Sequence, residues 1–192
     1  MGLNINCLPV ENSQQELVET ISEIIRIFLK INENVVIVLI PHDFRPEQSD
    51  LTVLSEIQRR LPQEMQSRTL LVNILFSSWS IKPIVSDLDY LVTGRMHLGI
   101  AALSMGVPTY GLSYKGKFEG LMEHFSLNEN LLSYKNVCEE KLLLEFFEKA
   151  LHGHTEMASQ VYEELPKVKV KSLENFDLLI RVNNREKLVT YS

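Results

Sequence analysis

Cysteine is nearly absent from this 192-residue chain. Only Cys7 and Cys138 occur, far apart and without C-x-x-C spacing, so the sequence signals neither a disulfide framework nor a zinc site. A cytoplasmic, reducing compartment is the expectation. Positive charge is also scarce: 19 Lys and Arg stand against 25 Asp and Glu, a formal net charge of −6. That balance argues against a nucleic-acid partner, which needs a basic face to displace counterions from phosphates. An anionic ligand would need a local basic pocket. Long hydrophobic runs are missing as well. The longest, Val35 to Pro41 and Leu70 to Phe76, have the length of strands and fall far short of the roughly 20 residues of a membrane span. No basic-then-apolar leader follows Met1, and no internal repeat or low-complexity tract is present.

What remains is an ordinary globular composition, 45% hydrophobic and 23% charged, organised as short apolar segments alternating with stretches of helical period. This is the pattern of βα units and a parallel sheet. Strands are expected at Gly2 to Asn6, Asn34 to Ile40, Thr69 to Ile74, Asp89 to Val92 and Pro108 to Gly111. Between them lie an amphipathic helix carrying Leu17, Ile21, Ile24, Ile25 and Phe28, a helix from Ser49 to Leu61, and a short helix from Ile81 to Ser86. A helix rich in small residues follows Gly94, and another ends near Phe125. Two further helical pieces, Cys138 to Leu151 and Thr155 to Leu165, precede a tail that opens at Pro166. The expected architecture is an α/β, Rossmann-like parallel sheet of about six strands with helices on both faces. Residues 1–165 form the domain and 166–192 a tail or extension, with the Lys167 to Lys171 alternation read as an exposed edge or tail.

In such a sheet ligands bind where strands end and helices begin. The residues with chemistry collect there: His42 and Asp43 after the second strand, Trp79 after the third, Arg95 and His97 after the fourth, Ser113, Tyr114 and Lys117 after the fifth. Arg95 and His97 precede a helix whose first-turn N–H groups favour an anion, and a guanidinium can grip phosphate or carboxylate with two bonds. Backbone that is still extended there would project both residues to one side. The spacing fits a structural role equally well, in which Arg95 pairs with a nearby acid and His97 caps the helix. Likewise Asp43 could start a turn and His42 satisfy loop carbonyls. His152-Gly153-His154 with Glu156 nearby is too sparse a ligand set to predict a metal.

The run Gly94-Arg95-Met96-His97, continued through Met105-Gly106-Val107-Pro108 and Gly111 to Gly120, resembles the signature region of polysaccharide pyruvyl transferases. Leu39-Ile40-Pro41-His42-Asp43 and Asp89 fit the same pattern in order. The resemblance runs from about Gly2 to Phe125 and implies one half of a GT-B-like fold, with the other, N-terminal half not in this chain. It further implies phosphoenolpyruvate as donor substrate, a sugar or glycan acceptor, no cofactor and no metal. Under it, His97 and His42 move protons, while Arg95, Asp43, Trp79, Ser113, Tyr114 and Lys117 bind substrate. A separate N-terminal domain or a homo-oligomer would complete the cleft. A sugar-nucleotide glycosyltransferase domain and a non-catalytic glycan- or partner-binding domain remain the alternatives.

Overall fold

The computed structural model describes residues 1–6, 14–45, 49–73, 80–114 and 116–189, with side chains up to residue 174. Six strands, β1 (Gly2–Asn4), β2 (Ile37–Leu39), β3 (Thr69–Leu71), β4 (Leu91–Thr93), β5 (Thr109–Ser113) and β6 (Leu131–Ser133), form one sheet in the order β3-β2-β1-β4-β5-β6. Every neighbouring pair is parallel. This is the doubly wound Rossmann order, whose direction of winding reverses between β1 and β4.

The strands are buried on both faces because their side chains alternate between two cores. In β4, Leu91 packs with Ile81, Val85, Leu98, Ala102 and Ile40, whereas Val92 joins the larger core on the opposite face. That larger core is supplied by α1 (Gln14–Ile31), α2 (Asp50–Arg60) and the first half of α7 (Glu140–Val189). The other face is covered by α4 (Ile81–Ser86) and α5 (Met96–Ser104), while α6 (Lys117–Glu123) lies beside α5 against β5. The predicted stripe of α1 is fully buried, and Phe28 meets Phe147 edge to face at 5.5 Å. In the last turn of α1 the carbonyl of Leu29 accepts from Arg68 at 2.9 Å, and the same guanidinium donates to Val35 O in the following loop at 2.8 Å.

Three local expectations are corrected. A short helix, α3 (Gln63–Gln66), and the strand β6 had no counterpart in the sequence reading. The break expected between residue 151 and Thr155 does not exist, because α7 is one helix of 50 residues. Gly153 reads as a terminator, yet it sits inside α7 because a Cβ there would stand 3.1 Å from the Tyr110 hydroxyl. The helix also continues through Pro166, so Lys167 to Lys171 is helical and not a strand edge. Proline at this position removes the helical donor to the carbonyl of Tyr162, a residue 80% exposed, where water can serve instead. No helix among the described residues is long and apolar enough to cross a membrane.

Candidate active site at the carboxyl edge of the sheet

At the switch point the ends of β1 and β4 are joined by a buried polar network whose centre is Asp50, the first residue of α2. Its carboxylate is wholly inaccessible. It accepts from Asn4 Nδ2 at 2.9 Å, from the backbone N–H groups of His42 and Asp43 at 3.1 Å each, and from Arg95 Nε at 3.2 Å and Nη2 at 2.7 Å. A carboxylate removed from water is tolerated only when it is matched this fully. Asn4 is fixed in turn by donating to Ile40 O at 2.9 Å, and the Thr93 hydroxyl lies 3.3 Å from its Oδ1. One acid thus ties together the ends of β1, β2 and β4 and the start of α2.

Arg95 takes a second carboxylate, with Nη1 3.1 Å from Asp43 Oδ2. Asp43 also accepts from Arg45, at 3.0 Å from Nε and 3.1 Å from the backbone N–H. The Arg45 hydrogen bonds, with Arg95 adding to them, hold the Asp43 carboxyl at about 2, well below the usual carboxylate range. The ion-pair alternative for Arg95 is therefore what the fold builds: its guanidinium faces two acids. His42, half-buried, is pushed below the ordinary histidine range chiefly by its burial, with the positive charges of His97 and Arg95 adding to the effect.

Extended backbone, the condition under which Arg95 and His97 would project together, stops at Arg95, which has φ −105° and ψ 110° and is the N-cap of α5. Met96 already begins the helix, so His97 is the exposed second residue of its first turn. No side chain of the N-cap closes that end. Arg95 and His97 still line one cleft of about 190 Å³ together with Asn6, Tyr114 and Lys117. Gly94 brings the backbone against Asn6 there, since a Cβ at this position would fall 2.4 Å from Asn6 Oδ1. Among the other predicted residues, Ser113 is buried and donates to Glu119 Oε1 at 2.6 Å, Tyr114 and Lys117 are exposed, and Trp79 lies outside the described residues. His152 faces Glu148 at 3.4 Å and His154 meets Leu151 O at 2.7 Å, so the two histidines are used within or beside α7.

Asp50, Asn4 and Asn6 were not foreseen. The pair Ser49-Asp50 is legible as a helix start, and Ser49 does cap α2. That the acid turns inward, toward an arginine 45 residues later, has no local signal.

Residues 4–116 match the family model for polysaccharide pyruvyl transferase. The chain belongs to the polysaccharide pyruvyl transferase family. The match runs from the last residue of β1 through β5 and takes in Asn4, His42, Asp50, Arg95 and His97 of this pyruvyl transferase domain, and it stops one residue before Lys117. No match was found among curated proteins. Among solved structures the domain is similar to an O-GlcNAc transferase mutant from Thermobaculum terrenum, with a TM-score of 0.58, 16% identity, and cover of 96% of this chain and 35% of that one. It is also similar to a protein described as a UDP-N-acetylglucosamine 2-epimerase from Listeria monocytogenes, with a TM-score of 0.52, 16% identity, and cover of 83% and 37%. At such identity the likeness shows the fold, a Rossmann-like unit resembling one half of a GT-B protein. The chain spans about a third of the length of these neighbours.

Proposed function

We propose that this domain binds phosphoenolpyruvate at the start of α5 and transfers its enolpyruvyl carbons to two hydroxyls of a sugar in a polysaccharide or glycan precursor, giving a pyruvate ketal and releasing phosphate. The observation that carries the reading is the cleft at the switch point, where the uncapped N-terminus of α5 faces Lys117 and Tyr114 with His97 at its rim. Helix N–H groups and an ammonium suit a ligand bearing both phosphate and carboxylate.

In this reading a proton reaches the methylene carbon, the first sugar hydroxyl adds to the adjacent carbon and gives up its proton, and the second hydroxyl then displaces phosphate from that carbon, its own proton leaving with the phosphate. His97 at the rim is the proton donor. His42, kept neutral by its burial, is the group suited to accept a proton. Arg95 contributes its charge to anion binding from within its carboxylate network, and Ser113 holds the β5 loop through Glu119 so that Tyr114 faces the cleft. The acceptor would be held against this edge by a second half, from a separate domain or another subunit.

Thermal unfolding of the chain with phosphoenolpyruvate or with UDP tests the assignment. A ligand at a hundred times its dissociation constant stabilises by about 2.7 kcal/mol. Stabilisation by phosphoenolpyruvate and not by UDP is expected. The reverse pattern would favour a sugar-nucleotide enzyme, and no response to either would point to a non-catalytic binding domain.

A further inference from the structure

The two carboxylates on Arg95 differ in every respect that governs whether a ligand could displace them. Asp50 is wholly buried, takes the Nε and Nη2 side of the guanidinium, and holds Asn4 and two backbone N–H groups at the same time. Displacing it would strand donors from three elements in the interior, a penalty that falls on each of them. Asp43 stands on the loop after β2 and reaches Arg95 at Nη1, at 3.1 Å. It already has a second cation, Arg45, whose side chain is 67% exposed and which would keep Asp43 paired after it left Arg95.

Resting on the phosphoenolpyruvate reading of the same cleft, we propose that Asp43 is a built-in counter-ion that the incoming anion displaces from Arg95, while Asp50 is a positioning residue that keeps the guanidinium in place during the exchange. The ligand class is a small phosphate or carboxylate anion. Such a group can offer Arg95 two parallel hydrogen bonds in place of its contact with Asp43, and Asp43 retires to Arg45 without leaving a bare charge behind. Asp43 therefore opposes ligand binding, and the sequence-based expectation that it binds substrate directly is replaced by one of opposite sign.

The test is a pair of nearly isosteric substitutions, each removing one negative charge beside the same guanidinium. Binding of phosphoenolpyruvate and of inorganic phosphate to the full chain would be measured by calorimetry for the wild type, Asp43→Asn and Asp50→Asn. Asp43→Asn should bind both anions about tenfold more tightly, because a like charge next to the site is gone. Asp50→Asn should bind them several-fold more weakly, because Arg95 loses its fixed orientation. A purely electrostatic effect would tighten both variants and a purely structural one would weaken both, so a shift in the same direction overturns the proposal. Should Asp50→Asn lose cooperative unfolding, the Asp43 arm decides alone, and an affinity equal to or below that of the wild type sinks the idea. In that event the wild type would still bind phosphoenolpyruvate if the functional reading holds. Failure of both wild type and Asp43→Asn to bind either anion would remove that reading and the exchange together.

Discussion

The two ends of β4 and β5 are solvated in opposite ways. At the amino end, Tyr90 stacks on His154 with ring centroids 5.0 Å apart, meets Tyr110 edge to face at 6.3 Å, and Tyr110 meets Phe146 at 5.9 Å. Burial pushes the Tyr110 phenol up to about 12 and raises that of Tyr90 as well, so both stay neutral, and the Tyr90 hydroxyl has no partner among the described residues. At the carboxyl end one acid, Asp50, is wholly buried and locked to the partly buried Arg95. Aromatic packing against α7 holds one edge, and compensated charge shapes the other. Each edge holds one buried oxygen with no partner among the described residues, the Tyr90 hydroxyl at the first and Asn6 Oδ1, in the cleft wall, at the second.

That contrast can be broken most severely in two places. Tyr110→Ala should cost about 3–5 kcal/mol in denaturant unfolding, the range for emptying an aromatic site in a core, and leave anion affinity nearly unchanged. Asp50→Ala should cost a similar amount, about 3–5 kcal/mol, because it leaves Arg95, only partly exposed, without its main partner. Unlike the first variant it should also abolish anion-induced stabilisation. A smaller effect, about 1–3 kcal/mol from overpacking, is expected for Gly94→Ala, whose methyl must push Asn6 out of the cleft wall; a crystal structure with Asn6 unmoved would contradict this. Tyr90→Phe sharpens the comparison from the other side. Removing a hydroxyl that has no partner among the described residues should leave stability within about 1 kcal/mol of the wild type or raise it, and a loss beyond about 2 kcal/mol would show that the hydroxyl is in use.

The smallest effect is on acid stability. Asp43 titrates near 2 in the fold against an ordinary value of 3.8, so its contribution is fully present above the unfolded value and is lost as pH falls from about 4 toward 2. His42, lowered by burial, behaves with the same sign in a higher window: its contribution is complete above the ordinary 6.5 and declines as pH falls through its depressed value. Asp43→Asn should flatten the first decline and His42→Gln the second, as read from melting temperatures across the acid range.

The strands and the edge at which chemistry gathers were legible because each rests on short-range pattern. The apolar runs around Ile37 to Leu39 and Leu91 to Thr93 have strand length, and the stripe of α1 repeats at helical spacing. β6 escaped because Leu131-Leu132 is too short a run to stand out, and it is a strand only because β5 is there to pair with it. The continuity of α7 escaped because Gly153 and Pro166 are breakers by intrinsic preference, overridden where close packing on Tyr110 or an exposed face removes the penalty. At the site, Arg95, His97, Tyr114 and Lys117 were readable from the signature run and do line one cleft. The partnership of Arg95 with Asp50 was not, since a contact between α2 and the end of β4 is set by sheet order and leaves no trace in spacing.

The strand order has a consequence in time. β1 lies between β2 and β4, and its pairing with β4 joins Gly2 to Leu91. At roughly 5–20 residues per second of synthesis, β2 is available to β1 within seconds, while β4 follows only after the whole of α2, β3 and α4 has been made. During that interval the nascent chain presents one finished strand with an open, apolar edge, the kind of template on which chains mispair. Closure of this long loop is the slow event topology imposes on such domains. Asn4, already bonded to Ile40 O across the β1–β2 pair, waits at that open edge until Thr93 and Arg95 arrive, so the polar network of the candidate site closes only after β1, β2 and β3 have all been made.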